Sequence, residues 1–172
     1  MRPMFGEIMT EHLSLRAFSS TDEIVVGDWL QNDPHARREL GGAGFISGVA
    51  QDTAEEAHVC GWVLCDETDR PLAAVVIEYV SDRTAELFVI VAPENRRHGH
   101  GRDTVKRVLA QGLGVAQVLA DVHEENGPSL RLLQACGFTI GLPDDTGFQT
   151  AVWTPEDTAA SGSHLQSSDG HP

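Results

Sequence analysis

Cysteine is scarce in this sequence, and its spacing fits neither a disulfide framework nor a metal site. The 172-residue chain contains Cys60, Cys65 and Cys136, and no two of them form a CxxC pair. An odd number leaves at least one thiol unpaired, which argues against a disulfide-stapled extracellular domain. Cys60 and Cys65 are an odd number of residues apart, so one regular strand would direct them to opposite faces. We expect three packing residues in a protein of a reducing compartment, the cytoplasm.

Basic residues and long apolar runs are also few. The chain has 12 Lys and Arg against 26 Asp and Glu, a formal net charge of −14. This balance disfavours a nucleic-acid-binding surface and docking on anionic membranes. Apolar runs such as Leu87–Ala92 are far too short to span a bilayer, and residues 1–7 lack the apolar segment of a signal peptide. We therefore expect no nucleic-acid partner and no membrane partner.

Length and composition indicate one globular domain. A chain of 172 residues that is 41% hydrophobic and 22% charged has ordinary single-domain size and composition. Residues 155–172 contain a single large apolar side chain among Ser, Gly and acidic residues, so we expect a disordered acidic tail there. Residues 1–11 are expected to be a flexible N-terminus. The folded domain is then predicted to cover residues 12–154.

Apolar spacing predicts strands and helices in a definite order. A strand at 13–17 precedes a helix that begins at the capping box Ser20–Glu23 and carries Val25, Trp29 and Leu30 on its apolar face. The remaining predicted elements are a short helix at 35–40, strands at 58–65, 72–80 and 85–92, a helix at 99–111, a strand at 115–122, a helix at 128–136, and a hairpin of 138–142 with 147–153. This order indicates the mixed α/β (α+β) class, with helices covering a largely antiparallel sheet.

A glycine-rich basic loop follows the predicted strand at 85–92. Arg96-Arg97-His98-Gly99-His100-Gly101 lies directly before the main part of the next helix. Glycine allows a tight turn, so successive backbone N–H groups and the positive helix end can converge on a phosphate. Arg102 adds positive charge, which favours an anion site over the alternative, a glycine-rich connection with solvated arginines. His98 and His100 have no HxxxH or Cys/His partners, so we expect no metal.

A second motif, Asn126-Gly-Pro-Ser129-Leu-Arg-Leu-Leu133-Gln-Ala-Cys-Gly-Phe138, lies between two later predicted strands. Together with the earlier Arg-x-x-Gly-x-Gly loop, it resembles the GNAT superfamily of acyl-CoA-dependent N-acetyltransferases. The form Asn-x-x-Ser-x-Arg-Leu-Leu is similar to the branch that includes the ribosomal-protein N-terminal acetyltransferases. The resemblance implies a twisted, largely antiparallel sheet, splayed between its fourth and fifth strands (85–92 and 115–122) and flanked by helices.

The resemblance also implies a function and a cofactor site. The activity would be transfer of an acetyl group from acetyl-CoA to a primary amine by direct attack in a ternary complex, without a metal. The basic loop would bind the pyrophosphate through backbone amides, and the strand before it would present backbone groups to the pantetheine arm. The implied cofactor-binding residues are Val91, Ala92, Arg96, Arg97, His98, Gly99, His100, Gly101, Arg102, Asn126 and Ser129.

The catalytic acid departs from the usual family pattern. Many members carry a tyrosine at the position of Leu133, where it protonates the departing thiolate, but the only tyrosine of this chain is Tyr79. In the resembled branch the serine that matches Ser129 is the proposed acid. Helix capping is the alternative role for Ser129, and also for Asn126.

Glu86 is our first candidate for the general base, because it begins the cofactor-pairing strand and family members often have a glutamate there. A two-residue hairpin loop would place Glu86 opposite Tyr79, and a three-residue loop would place it opposite Glu78. In the second register the two carboxylates would repel, which would raise the pKa of one of them. The alternative is that both decorate a wet sheet face. His123 is the reserve candidate.

Three function classes remain open, of which a nucleotide-binding protein is the most distant. The first is the acetyltransferase, acting on a small-molecule amine or a peptide N-terminus, as a monomer or a homodimer. The second is a GNAT-fold domain that binds acyl-CoA as a sensor or interaction module with little catalysis, which the missing tyrosine would allow. The acidic charge outside the basic loop favours an acceptor that arrives protonated.

Overall fold

A computed structural model describes residues 8–10 and 12–155. The helices are α1 (Ser20–Asn32), α2 (Pro34–Leu40), α3 (Val49–Ala54), α4 (His100–Ala110) and α5 (Gly127–Ala135). The strands are β1 (Ile8–Thr10), β2 (Leu13–Ala17), β3 (Val59–Cys65), β4 (Pro71–Tyr79), β5 (Thr84–Val91), β6 (Gln117–His123), β7 (Thr139–Ile140) and β8 (Phe148–Trp153). Strand β1 is an addition to the sequence prediction, which began the fold at residue 12. The predicted tail lies almost entirely outside the described residues.

The strands form one sheet in the order β1-β2-β3-β4-β5-β6-β8-β7. Neighbouring strands are antiparallel throughout the described sheet, with the exception of β5 and β6, which run parallel. The predicted class, a mixed α/β fold with a largely antiparallel sheet, is therefore confirmed. None of the helices in the described part of the chain has the length and apolar character needed to cross a membrane.

Two apolar clusters cover the two faces of the sheet. On one face, α4 and α5 pack through Val105, Val108 and Leu133 against the centre of the sheet. On the other face, α1 and α3 pack through residues such as Leu30 and Val49. Because side chains alternate along a strand, the two faces of β5 and β6 carry different residues, and this alternation decides which side chains line the site. We call these the α4 face and the α1 face.

The start of α1 differs by one residue from the prediction. Ser19, and not Ser20, is the N-cap: its N–H donates to Asp22 Oδ2 at 2.8 Å and its hydroxyl donates to the same oxygen at 2.7 Å. Asp22 is buried and pairs with Arg16 at 2.7 Å, which links the helix start to β2. On this helix Val26 is buried, whereas Val25 is exposed. The prediction of Val25 in the core was wrong, while Trp29 and Leu30 are buried as predicted.

The cysteines lie as the sequence predicts. All three are buried, and none of them forms a disulfide bond within the described residues. Cys60 belongs to the cluster on the α4 face and Cys65 to the cluster on the α1 face, which confirms their opposite orientation on β3. Burial raises the pKa of Cys65 to about 12 and that of Cys136 to about 11. Both thiols are therefore protonated and unreactive near neutral pH, as expected of packing residues.

Candidate active site

The central strands β5 and β6 separate from one another and open a cleft. Their backbone pairing is restricted to Thr84 with Gln117, Ala85 with Val118, and Glu86 with Leu119. Strand β5 continues to Val91 and β6 to His123 without further pairing between them. This confirms the predicted splay between the strands at 85–92 and 115–122. The unpaired edges leave backbone groups available to a ligand.

Along β5, the backbone N–H and C=O groups of successive residues point alternately toward β4 and toward the cleft. Ala92 N–H donates to Leu72 O at 3.0 Å, and the Ala92 carbonyl accepts from Asn95 N–H at 2.9 Å. In an antiparallel ladder every second residue bonds the partner strand, so the backbone groups of Val89 and Val91 face the cleft. Val91 thus has the orientation that the sequence assigned to it. Ala92 does not, because both of its backbone groups are engaged elsewhere, and Val89 takes its place.

The basic loop connects β5 to α4 through two left-handed residues. Arg97 has φ 65° and Gly99 has φ 81°. Gly99 is the N-cap of α4, and no side chain of the described residues caps this helix end. The amides of the first turn, at His100 and Gly101, therefore have no side-chain acceptor and point away from the helix. Such a turn offers several backbone donors to one anion, as a pyrophosphate site requires.

The two glycines of this loop serve different purposes. A Cβ at Gly99 would meet nothing within 4 Å, so glycine is favoured there by its positive φ alone. A Cβ at Gly101 would lie 2.7 Å from Leu132 Cδ1 and 2.9 Å from Val91 Cγ2. Gly101 therefore allows α4 to start in direct contact with β5 and α5. This contact holds the helix end at the mouth of the cleft.

The charge of the loop resides on its arginines. Arg96, Arg97 and Arg102 are all exposed. The rings of His98 and His100 stack with centroids 5.9 Å apart. Burial lowers the pKa of His100, and the neighbouring His98 lowers it further, so the His100 ring is uncharged at neutral pH. Within the described ranges, no group of three or more His, Cys, Asp or Glu side chains could hold a metal ion.

Three carboxylates stand side by side where the cleft begins. Glu86 lies opposite Glu78 in the β4–β5 ladder, which is the three-residue-loop register. Glu86 alternates with apolar residues of the α4 face, so its side chain lies on the α1 face, and Asp121 of β6 lies on that same face. Burial raises the pKa of Glu86, and the charges of Glu78 and then Asp121 raise it further. Asp121 Oδ1 also accepts from the Thr150 hydroxyl at 2.6 Å.

His123, at the end of β6, is held by groups that donate to one ring nitrogen. Arg38 Nη2 lies 3.3 Å from His123 Nδ1, and Glu125 N–H donates to the same atom at 3.3 Å. Two donors at Nδ1 require its lone pair, which places the ring proton on Nε2. The ring also packs edge-on against Phe148 with centroids 5.2 Å apart. This arrangement leaves no free lone pair on His123 for proton abstraction.

The start of α5 separates the roles of Asn126 and Ser129. Asn126 is the N-cap, and its Oδ1 accepts from Ser129 N–H at 3.3 Å. Ser129 is the third helical residue, and its hydroxyl makes no hydrogen bond to the described residues, so the alternative role of Ser129 as the helix cap is wrong. Leu133 is fully buried in the cluster on the α4 face. Tyr79 lies opposite Ala85, also on the α4 face, so it does not replace the missing family tyrosine beside Glu86.

The site also receives side chains from the α1–α2 region. Asp33, which joins the two helices, forms an ion pair with Arg96 of the basic loop. Asn126 Nδ2 donates to both carboxylate oxygens of Glu39 at 3.1 Å. The α2 region, which comprises Asp33 and α2, therefore contacts both predicted cofactor motifs.

This geometry agrees with the family comparison. The family model described as acetyltransferase (GNAT) domain matches residues 11–139, well over half of the chain. The chain belongs to the GNAT acetyltransferase family. As a GNAT acetyltransferase it is an enzyme that uses acetyl-CoA as co-substrate for N-acetylation, as the resemblance implied.

Individual relatives of this GNAT chain are distant. The uncharacterized N-acetyltransferase YfmK of Bacillus subtilis (strain 168) is 26% identical over 132 residues, which cover 74% of this chain and 87% of the relative. The spermidine N-acetyltransferase of Vibrio cholerae, solved with CoA and spermine, superposes with a TM-score of 0.70 at 18% identity, over 87% of this chain and 99% of that one. The ribosomal-protein-S5-alanine acetyltransferase of Vibrio fischeri gives a TM-score of 0.69 at 13% identity, over 88% and 98%. The two solved structures confirm the GNAT fold.

Several residues that reach this GNAT site were not predicted from the sequence. Asp33, Arg38 and Glu39 come from short helical segments without a clear apolar period, so nothing in the sequence indicated that they face the cleft. Asp121 carried a usable signal: it stands two positions before His123 on a strand, and period-two alternation places both side chains on one face. The same alternation on β5 would have indicated that the backbone of Val89, two positions before Val91, also faces the cleft.

Proposed function

We propose that the cleft between β5 and β6 holds acetyl-CoA and that a primary amine attacks the thioester directly in a ternary complex. The supporting observation is the position of an ionisable pair, Glu86 and Glu78, at the point where the two strands separate. The uncapped start of α4 lies at the other end of β5. A single extended cofactor would reach from the loop amides, past the backbone of Val91, to the carboxylates. Acetyl-CoA supplies the electrophilic acetyl thioester.

Glu86 is the group that we assign as general base. An amine arrives as an ammonium ion and must lose a proton before it can attack, directly or through water. The raised pKa of Glu86 makes it a better proton acceptor than an ordinary carboxylate. Asp121 is exposed and accepts a hydrogen bond from Thr150, and the Nδ1 lone pair of His123 is occupied. His123 is therefore a weaker candidate than Glu86, and its contacts favour a positioning role.

Ser129 is the group that we assign as proton donor to the departing thiolate. It projects from the first turn of α5, and Asn126 rather than Ser129 performs the capping. The position that carries tyrosine in many family members is the buried Leu133, which has no proton to give. The hydroxyl of Ser129, alone or with a water molecule, is therefore the group that we assign.

The cofactor contacts are assigned to the basic loop and to α5. The backbone amides of His98, Gly99, His100 and Gly101 would hold the pyrophosphate, and Arg96, Arg97 and Arg102 would add charge-assisted hydrogen bonds. Asn126 would contact the pantetheine or phosphate region with its Nδ2 amide. We assign no cofactor contact to the backbone of Ala92, for the reason given above.

The acceptor that we propose is a cationic primary amine, either a small molecule or a peptide N-terminus. The α1 face of the cleft presents Glu78, Glu86 and Asp121, and the chain carries a net charge of −14. Both features attract a protonated amine. Of the two superposed enzymes, one acts on spermidine and the other on the alanine of a ribosomal protein. We place the reaction in the cytoplasm, because the three cysteines are buried thiols that form no disulfide bond within the described residues.

The cofactor assignment is tested by calorimetric titration of CoA into single-residue variants. Gly99→Pro removes one amide donor and cannot adopt φ 81°, so it should abolish binding. Arg97→Ala leaves the amides in place and should weaken binding by only about 1–3 kcal/mol. Circular dichroism of both variants checks that the fold is retained. Wild-type affinity in a folded Gly99→Pro variant would contradict the site.

A further inference from the structure

Helix α2 is attached to the rest of the protein mainly by polar contacts. It has seven residues, Pro34–Leu40, and none of them is buried. Ala36 and Leu40 are only partly buried against the cluster on the α1 face. Polar side chains attach the α2 region to the cleft at three places: Asp33 to Arg96, Arg38 to Glu125 and His123, and Glu39 to Asn126.

Two of these three contacts occupy residues that the proposed function assigns to CoA. Arg96 Nη2 pairs with Asp33 Oδ2, and the Asn126 Nδ2 amide donates to both oxygens of Glu39 at 3.1 Å. In each contact a carboxylate accepts from a donor that a phosphate or carbonyl oxygen of the cofactor would also use. Arg96 and Asn126 therefore cannot donate the same hydrogen bonds to these carboxylates and to CoA at the same time.

We propose that the α2 region is an internal competitor of CoA: Asp33 and Glu39 hold Arg96 and Asn126 while the cleft is free, and CoA takes these two donors over when it binds. The inference rests on the proposed function, because it requires that Arg96 and Asn126 contact the cofactor. Under this proposal, Asp33 and Glu39 lower the affinity for CoA, and the position of α2 depends on whether CoA is bound.

The connections at both ends of α2 permit such an exchange. Gly41 and Gly42 follow the helix with φ 78° and 89°, and a Cβ at Gly41 would meet nothing within 4 Å. At the other end, Asp33 lies in an extended conformation between α1 and α2. Because none of its residues is buried, α2 can shift between these two connections with little loss of core packing. The contact between Arg38 and Glu125 involves no assigned cofactor residue and can persist when CoA binds.

Carboxylate-to-amide variants test this competition, with CoA itself as the titrant at fixed ionic strength. Asp33→Asn retains an Oδ1 acceptor for the amides of His35 and Ala36, so the cap of α2 is preserved while the charge is lost. Glu39→Gln removes the second carboxylate. The residues of both contacts are exposed or only partly buried, so each contact is weak, and each variant should lower the Kd for CoA by about two- to fivefold.

Glu94→Gln is the matched control. Glu94 lies two residues before Arg96 and pairs with Arg70 at 2.9 Å, so its removal changes the nearby charge without releasing a cofactor residue. Under the proposal, Asp33→Asn and Glu39→Gln lower the Kd more than Glu94→Gln does. If the Kd falls no more than in the control, or if it rises because the carboxylates position their partners for CoA, the proposal is wrong.

Hydrogen exchange of the wild-type protein provides a second test. When CoA removes two of the three contacts, the amides of residues 35–41 should exchange faster than they do in the free protein. Slower exchange in this segment would overturn the proposal. Failure of the proposed function has a different result: the wild-type protein would not bind CoA, or the Gly99→Pro variant would bind it unchanged.

Discussion

Glu86 and Glu78 show how strand register sets the chemistry of single residues. Each is half-buried on the α1 face, and the β4–β5 ladder places them directly opposite one another. Like charges in that position disfavour each other's ionisation. Burial and the neighbouring charge of Glu78 therefore raise the pKa of Glu86 at the point where β5 and β6 separate, where a proton acceptor is needed.

The pH dependence of the reaction should report this pair. A base must be ionised to act, so kcat/KM should fall as the pH decreases through the raised pKa of Glu86. Glu78→Gln removes one of the charges that raise this pKa, so the acidic limb of the profile should move to lower pH. Glu67→Gln, in an exposed turn, is the control and should leave the limb in place. An unmoved limb in Glu78→Gln would show that Glu78 does not act on the base.

Ser129 is a second residue whose role a single substitution can decide. Because Asn126 caps α5, Ser129→Ala should leave stability almost unchanged, but it removes the assigned proton donor. We expect kcat to fall by about 10²-fold or more, with little change in the affinity for acetyl-CoA. Steady-state kinetics with thermal unfolding as the stability control measures both effects. Wild-type kcat in this variant would indicate that water, and not Ser129, protonates the departing thiolate.

At the scale of elements, α4 is placed by packing as well as by its loop. Gly101→Ala would insert a Cβ into the contact with Leu132 and Val91, and this overpacking should destabilise the protein by about 1–3 kcal/mol. Gly44→Ala is the matched control, because a Cβ at Gly44 meets nothing within 4 Å. Urea unfolding of the two variants provides the comparison. Equal stability of both variants would contradict the packing role of Gly101.

The elements were predicted from the sequence better than their ends and contacts. Strong alternation and period-3.6 spacing located β2 to β6, α4 and α5 within a few residues. The start of α1 was misplaced because Ser19 and Ser20 are both able to cap, and the choice depends on the buried pair of Asp22 with Arg16 of β2. The segment 41–57 had no prediction, since its short helices are held by tertiary contacts such as Thr53 Oγ1 with Gly61 N–H at 2.8 Å.

The parts of the site that depend on local backbone conformation could be predicted from the sequence. The parts that depend on contacts between distant segments could not. The loop 96–101 and the cap Asn126 are encoded by glycine and asparagine at fixed positions. Two β4–β5 registers remained open, because the sequence of residues 81–84 is compatible with a hairpin loop of two residues and with one of three. The contacts of Asp33 and Glu39 join segments far apart in the chain, so no local pattern could reveal them.

At the scale of the whole molecule, the charge should influence how the acceptor arrives. A strongly negative surface raises the encounter rate of a cationic amine, and added salt screens this attraction. We expect kcat/KM for a polyamine or a peptide N-terminus to fall as ionic strength rises, while kcat stays nearly constant. An uncharged amine analogue provides the control. A flat salt profile, or a preference for an anionic acceptor, would remove the electrostatic part of the proposal.

The most direct test of the whole account is the release of free thiol from acetyl-CoA in the presence of a panel of amines. The wild-type protein should release one thiol for each amine acetylated, with polyamines and peptide N-termini among the best acceptors. Glu86→Gln should lower this rate by about 10²-fold or more and retain the wild-type affinity for CoA. If the wild-type protein binds CoA but releases no thiol with any amine, or if Glu86→Gln is as active as the wild type, catalysis at this cleft with Glu86 as base is contradicted.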